Sequence, residues 1–178
     1  MNTFRCYKAA LLFCSFTLYF TSFAQHASPL PASWQVCFSP RGGAASAITQ
    51  SLDNAKILVL VQAYSFTSMP IVEALVSAHN RGVTVQVLLD KSQRTQRSTA
   101  ASLLDQAGIR TYFDVAHAIA HNKVMVIDNE IVITGSYNFT KAAEERNAEN
   151  LLIIRSKELA ARYVENWRIH LRHSTPFR

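Results

Sequence analysis

The sequence predicts one α/β domain, an α/β/α sandwich around a mixed, largely parallel sheet. Two continuous apolar runs, residues 56–63 and 83–90, are typical of strands buried on both faces. Segments with helical spacing alternate with the predicted strands, and this alternation favours parallel pairing. A length of 178 residues with 49% hydrophobic side chains suits one core and is short for two.

Helix ends are marked by residues that commonly start or stop helices. Ser68 and Pro70 open one helix, and glycines at 82 and 108 end two of them. Residues 129–130, between two apolar runs, indicate a tight hairpin. The predicted order is strand 34–38, helix 42–55, strand 56–63, helix 68–82, strand 83–90, helix 98–108, strand 110–113, hairpin strands 121–128 and 131–136, strand 148–154 and helix 157–172.

The C-terminal helix carries large apolar side chains at every fourth position, which indicates a face packed on the core. The side chains of this stripe are Leu159, Tyr163 and Trp167. Near the end of the same helix, His170 and His173 lie among several arginines. We expect these two histidines on a solvated basic face.

The first 24 residues predict a secretory signal peptide. Two basic residues precede the apolar run 9–20, and small residues up to Ala24 form a cleavage position. The alternative is an uncleaved N-terminal anchor, but this run is shorter than the roughly 20 apolar residues that a membrane-spanning helix needs. We therefore expect an exported protein, periplasmic or secreted, with no stable membrane anchor after cleavage.

Cleavage would change the composition of the chain in two ways. It would lower the formal net charge from +6 to +4, and it would leave Cys37 as the one cysteine, so no disulfide could form within the chain. Residues 25–33 would be a leader arm and residues 34–178 a single domain. The mild positive charge is compatible with a polyanionic partner such as nucleic acid.

The segment from residue 121 to residue 138 carries the candidate chemistry. Side chains alternate between the two faces of a strand, so His121 and Lys123 share one face and Asp128 takes the other. We therefore expect a structural role for Asp128. An imidazole beside an ammonium suits a phosphodiester substrate, because the first can attack phosphorus and the second can stabilise its oxygens.

Hairpin pairing is expected to add two polar groups to this patch. With a two-residue loop at 129–130, the residue numbers of any two residues paired across the hairpin add up to 259. Asn138 then lies opposite His121, and Ser136 lies opposite Lys123. A bulge near Gly135 would move both groups off the patch.

These residues resemble a known family. His121-x-Lys123, Asp128 five positions later and Gly135-Ser136-x-Asn138 reproduce the HxK(x)4D(x)6GSxN signature of the phospholipase D superfamily. The single copy of the motif, the segment VCFSP-x-GG and Asn147-x-Glu149-Asn150 are similar to the small exported bacterial Nuc-type endonucleases. The resemblance covers residues 34–172 and implies the phospholipase D-like fold.

The resemblance also implies a role for each matching residue. His121 would attack phosphorus to form a phosphohistidine, and the same histidine of a second subunit would protonate the leaving oxygen. Lys123 and Asn138 would hold phosphate oxygens, Ser136 would support the phosphate site, and Glu149 would orient the imidazole. A surface carboxylate is the alternative for Glu149. Because two histidines are needed and the chain has one motif, the resemblance implies a homodimer. We expect no cofactor and no metal, because no second carboxylate cluster or cysteine pair indicates a metal site.

Other polar residues are weaker candidates. Lys91, Arg94 and Arg97 follow a strand whose end should border the active face, so they could contact a nucleic-acid backbone or simply solvate a loop. His117 lies four positions before His121. We expect it to serve the loop or the substrate rather than to bind a metal.

The resulting expectation is a metal-independent, sequence-nonspecific endonuclease acting on DNA, with RNA left open. The first alternative is a phospholipase D-type hydrolase or transferase acting on phospholipids. The second is a nucleic-acid-binding module without catalytic activity, although binding alone would not require His121.

Overall fold

The computed structural model describes residues 33–95 and 100–178. The predicted signal peptide, nearly all of the predicted leader arm, and Arg97 lie outside the described residues. The strands are β1 (Ser33–Ser39), β2 (Leu58–Ala63), β3 (Thr84–Asp90), β4 (Arg110–Asp114), β5 (Lys123–Ile127), β6 (Ile131–Gly135), β7 (Glu149–Arg155) and β8 (Ser174–Pro176). The helices are α1 (Ala44–Asp53), α2 (Met69–Asn80), α3 (Ala101–Gln106), α4 (Lys141–Glu145) and α5 (Lys157–Arg172), with a short 3-10 helix at Lys91–Arg94.

These strands form one sheet in the order β1-β7-β6-β5-β2-β3-β4-β8. Only β2–β3 and β3–β4 are parallel, and the other neighbouring pairs are antiparallel. The mixed α/β/α architecture is therefore confirmed, but parallel pairing is less extensive than the sequence predicted. Parallel neighbours need a crossover connection, which α2 and α3 supply, whereas the tight turn between β5 and β6 requires antiparallel pairing.

Helices cover both faces of the sheet. On one face, α1, α2 and α3 bury an apolar cluster that includes Ile48, Leu75, Leu104, Met125 and Ile133. On the other face, α5 packs on the cluster of Leu60, Leu88, Val124, Val126, Val132 and Trp167. The predicted apolar stripe of α5 is confirmed, because Trp167 is buried and Leu159 and Tyr163 pack against the same cluster. Within the described ranges, no helix is long and apolar enough to cross a membrane.

The β5–β6 hairpin differs from the predicted register by one residue. Met125 pairs with Ile133 and Ile127 pairs with Ile131, so paired positions sum to 258 and the turn has three residues. Asp128 leaves the strand in a left-handed conformation, with φ 53°. Its carboxylate is engaged by a distant part of the chain, as described below, and this contact ends β5 one residue earlier than the pattern indicated. Ser136 and Asn138 consequently lie beyond the paired part of β6.

Two short elements were not predicted. Helix α4 begins after Thr140, whose side-chain oxygen accepts a hydrogen bond from the backbone N–H of Ala143 at 3.1 Å. Strand β8 pairs antiparallel with β4 at the edge of the sheet. Five and three residues are too few to produce a recognisable hydrophobic period, so the sequence pattern could not indicate either element.

One end of the sheet gathers the polar residues predicted to carry chemistry. Strands β1, β2, β3, β4 and β6 finish there, and β5, β7 and β8 begin there. We call this the site end. Its paired residues are Ser39 with Glu149, Ala63 with Lys123, Asp90 with Asp114, and Asp114 with Ser174.

Candidate active site

The His121 side chain is exposed at the site end, two residues before β5. The backbone N–H of Tyr64, just after β2, donates to the carbonyl oxygen of Asn122 at 2.8 Å. The Tyr64 and His121 rings have centroids 4.6 Å apart. Neither ring nitrogen of His121 has a hydrogen-bond partner among the described residues. Packing therefore positions the imidazole and leaves both nitrogens available for chemistry.

Lys123 is a buried cation near the same tyrosine ring, and the residue is only 7% exposed. Its Nζ donates to the carbonyl oxygen of His121 at 2.8 Å and lies 5.2 Å from the centroid of the Tyr64 ring. Burial lowers the pKa of Lys123 below the usual value for lysine, and the charge of Glu149 partly offsets this effect. In the part of the chain that the structure describes, two of the three ammonium donors remain for a ligand.

Ser136 and Glu149 form a pair beside the lysine. Ser136 Oγ donates to Glu149 Oε2 at 2.5 Å, and Asn147 Nδ2 donates to Glu149 Oε1 at 3.1 Å. Ser136 Oγ also accepts from the backbone N–H of Asn150 at 3.1 Å. Ser136 thus fixes the Glu149 carboxylate, whose charge acts on Lys123, while no hydrogen bond joins Glu149 to His121 within the described chain.

The turn before Ser136 requires a glycine. Gly135 has φ 145°, and a Cβ at this position would clash with the carbonyl oxygen of Asn150. That carbonyl accepts hydrogen bonds from the backbone N–H groups of Ser136, at 3.1 Å, and Tyr137, at 3.2 Å. The close approach of β6 and β7 therefore places Ser136 within reach of Glu149.

Asn138 is half-buried, and its side chain is not committed to the fold. Its Oδ1 is buried without a hydrogen-bond partner among the described residues. Rotation of the amide exchanges this oxygen with the NH2 group, which can donate to a ligand oxygen. An unpaired buried amide is costly in the protein alone and would gain a partner when an anion binds.

Asp128 lies at the opposite end of β5 from His121 and Lys123. Its carboxylate accepts hydrogen bonds from three consecutive backbone N–H groups, those of Lys56 at 2.9 Å, Ile57 at 2.7 Å and Leu58 at 2.9 Å. These contacts connect the hairpin turn to the start of β2. Asp128 therefore acts on the fold and makes no contact with the reacting groups.

The basic residues after β3 make contacts within the chain. Lys91 Nζ donates to the carbonyl oxygen of His117 at 2.8 Å. The Arg94 guanidinium lies 5.0 Å from the centroid of the Phe113 ring and donates to the carbonyl oxygen of Pro176 at 3.2 Å. Both side chains are exposed. Contact of Lys91 and Arg94 with nucleic acid stays a prediction, and Arg97 lies outside the described residues.

The histidines of the C-terminal segment are not on a solvated face, contrary to expectation. The His170 side chain is 12% exposed, and His170 and His173 both face the buried carboxylate of Asp114 together with His117. Burial alone would raise the pKa of Asp114, but hydrogen bonds from His170 and His117 outweigh it and lower this pKa. The pattern of α5 could not show this, because Asp114 lies 56 residues before His170.

Tyr64 is the site residue that the sequence did not indicate. It makes the ring contact with His121 and faces the ammonium of Lys123. Its position directly after the buried β2 run was the available signal, because residues at the C-terminal ends of such strands commonly line functional sites.

The chain belongs to the phospholipase D-like family. The family profile described as cardiolipin synthase, PLD-like domain, matches residues 48–169, which include every motif residue from His121 to Asn138. The match and the fold agree with the resemblance read from the motif.

Three known proteins illustrate the similarity. A phospholipase D of Rickettsia typhi is 44% identical over 131 residues, which are 74% of this chain and 64% of that protein. The mitochondrial cardiolipin hydrolase of Homo sapiens is 30% identical over 132 residues, 74% of this chain and 52% of that protein. The chain thus spans between half and two thirds of the length of these relatives. The crystal structure of Nuc, a phospholipase D family member from Salmonella typhimurium, matches with a TM-score of 0.80 and 38% identity, covering 83% of this chain and 99% of that one.

Proposed function

We propose that this protein is a phosphodiesterase that hydrolyses DNA, with RNA as a second candidate substrate, without sequence preference and without a catalytic metal. The observation that carries the proposal is that the unpaired imidazole of His121 and the buried, incompletely paired ammonium of Lys123 both contact the ring of Tyr64. The similarity to Nuc along 99% of that protein's chain supports a nuclease more directly than the partial matches to longer relatives support a lipase. The predicted signal peptide leads us to propose that the enzyme acts after export.

In the proposed reaction, a ring nitrogen of His121 attacks phosphorus. A P–N bond forms, the P–O bond to the leaving group breaks, and a second imidazole gives its proton to the leaving oxygen. Water then attacks the phosphohistidine, losing its proton to that second imidazole, and His121 is released. Lys123 and Asn138 donate to the phosphate oxygens, where their hydrogen bonds stabilise charge that develops in the transition state.

We propose that the second imidazole comes from a second copy of the chain. The edge of the sheet next to the site supports this idea, because β1 exposes an apolar row on the α5 side of the sheet. Trp34 is 70% exposed, Val36 38% and Phe38 67%. Phe38 pairs with Asn150 at the site end, so a copy seated on this row would lie beside the active site. A two-fold axis there would present the same patch from each subunit.

Hydrolysis of phospholipids is the second candidate. Relatives named phospholipase D and mitochondrial cardiolipin hydrolase favour it, and the same imidazole and ammonium could serve a lipid phosphodiester. A binding module without turnover is the third candidate, and the same assay tests it.

The decisive experiment incubates the purified protein with supercoiled plasmid in excess EDTA. We expect nicking and degradation, and His121→Ala should lower the rate by at least about 1,000-fold because it removes the nucleophile. His79→Ala removes a histidine from α2, outside the site, and should retain activity. Parallel assays on cardiolipin vesicles distinguish the candidates.

Each result has a defined meaning. Lipid hydrolysis without plasmid cleavage would establish the second candidate, and plasmid binding without cleavage of either substrate would establish the third. Plasmid cleavage that requires added Mg²⁺ would contradict the proposed mechanism.

A further inference from the structure

Three imidazole rings converge on one buried carboxylate at the site end of β4. Asp114 Oδ2 lies 2.9 Å from Nδ1 of His117, 2.7 Å from Nδ1 of His170 and 3.4 Å from Nε2 of His173. The rings come from three places in the fold: the loop after β4, the last turn of α5 and the residue that follows α5. The Asp114 side chain is fully buried, with 0% exposure.

Hydrogen bonding alone accounts poorly for this arrangement. A carboxylate oxygen has two lone pairs, and a neutral imidazole carries one N–H and one lone pair, so three rings on one oxygen exceed what it can accept well. One ligand atom from each of the four side chains lies within 4.8 Å of the other three. Three imidazole nitrogens and one carboxylate oxygen form a donor set that zinc accepts in four-coordinate sites.

We propose that Asp114, His117, His170 and His173 bind one Zn²⁺ ion, which departs from the expectation of a chain without metal. Magnesium and calcium prefer oxygen ligands, so a set with three nitrogens selects a transition metal such as zinc.

The cluster can close around such an ion with small movements. Ligand atoms of a tetrahedral zinc site are about 3.3 Å apart, so the widest pair must approach by about 1.5 Å. The His117 and His173 side chains are 47% and 31% exposed and have room to move. Asp114 and His170 are better buried, and their ligand atoms, now 2.7 Å apart, must separate by about 0.6 Å to admit the ion.

Neighbouring groups already orient these ligands. Asp114 Oδ1 accepts from the backbone N–H groups of Ala116, at 3.1 Å, and His117, at 3.2 Å. Ser174 Oγ donates to the backbone carbonyl oxygen of His170 at 2.8 Å, which fixes the backbone that carries His170 and His173 rather than their rings. Supporting hydrogen bonds of this kind commonly fix the direction of metal ligands.

The zinc site would act on the fold rather than on the reacting phosphate. Strands β4 and β5 are three strand spacings apart, about 14 Å, which separates Asp114 from Lys123. The loop that carries His117 runs directly to His121, and its end is held by a hydrogen bond from the backbone N–H of Ala120 to Asp90 Oδ2 at 2.7 Å. Zinc would therefore join α5 and β8 to β4 and fix the loop that precedes the nucleophile.

The test is a zinc titration of the purified, chelator-treated protein, with thermal unfolding followed in parallel. We expect one Zn²⁺ per chain with a Kd at or below about 1 μM, and a higher Tm when zinc is present. His173→Ala, which changes the most weakly held ligand, should weaken zinc binding at least about tenfold. The double variant His117→Ala with His173→Ala should abolish binding and the rise in Tm.

The matched control is His121→Ala, which removes the other histidine near this loop and should bind zinc as the wild type does. Circular dichroism of each variant without zinc establishes that it is folded. The proposal is overturned if the wild type binds no zinc, if the folded double variant binds it equally well, or if His121→Ala loses it. None of these measurements depends on nuclease activity, so they are independent of the proposed function.

Discussion

The ammonium of Lys123 donates a hydrogen bond to the backbone carbonyl of His121, with 2.8 Å between nitrogen and oxygen. One residue of the motif thus fixes the backbone of the other. Both atoms lie at the beginning of β5, because residues 121 and 122 directly precede the strand, which begins at Lys123.

Replacing this lysine is expected to separate activity from stability. Lys123→Met removes the charge that would hold a phosphate oxygen, so kcat should fall at least about 100-fold. Its Tm at neutral pH should be no lower than that of the wild type, because a charge that burial disfavours is replaced by an apolar chain of similar length. Calorimetry and turnover of a chromogenic phosphodiester check both parts, and a large loss of Tm would contradict the second.

The pH dependence of stability provides a further check on Lys123. Because burial lowers its pKa in the folded state, the unfolded chain binds more protons between the folded pKa and the ordinary value of 10.5. This group's contribution to the free energy of unfolding therefore rises with pH through that window. The stability difference between Lys123→Met and the wild type should be largest at neutral pH and shrink toward pH 10.5. Urea unfolding of both proteins across this range measures it.

Asp128 should matter for the fold and hardly at all for turnover. Asp128→Ala leaves three backbone N–H groups without their acceptor, so the free energy of unfolding should fall by about 2 kcal/mol. Asn129→Ala is the matched control, because Asn129 has a similar φ of 55° against 53° for Asp128 but is exposed. Equal losses in the two variants, measured by urea unfolding, would mean that backbone strain and not the carboxylate accounts for the effect.

The sequence predicted the order of the main elements and the faces of β5, because strand parity and buried apolar runs are local properties. The hairpin register was wrong by one residue because Asp128 bonds to the chain about 70 residues earlier, at Ile57 and Leu58. Which strands become neighbours decides two features of the site end: the contact of Tyr64 with His121, and the histidines around Asp114. A linear pattern contains no direct signal for such contacts.

Tyr64 is expected to position the proposed nucleophile, His121, through its ring rather than its hydroxyl. Tyr64→Phe keeps the ring that packs on His121 and should retain nearly all activity. Tyr64→Ala removes it and should lower kcat about tenfold with a smaller change in KM, because the imidazole loses its orientation. Both constants are measured on a chromogenic phosphodiester, so the result does not depend on whether the natural substrate is nucleic acid or lipid. Equal effects of the two substitutions would exclude a role for the ring itself.

Mixed dimers test whether two His121 side chains serve one site. If both are required, a dimer of one wild-type and one His121→Ala chain is inactive. Refolding equal amounts together should then reduce activity per wild-type chain to about half, because only half of those chains find a wild-type partner. Greater excess of the variant should reduce it further.

The control for this dilution is His79→Ala, which should leave the activity per wild-type chain unchanged in the same mixtures. Size-exclusion chromatography with light scattering establishes the dimer, and Trp34→Ser with Phe38→Ser should weaken it if the apolar row on β1 is the contact. Undiminished activity in confirmed mixed dimers would mean that one imidazole is sufficient, and the proton for the leaving oxygen would then have to come from another group of the same chain.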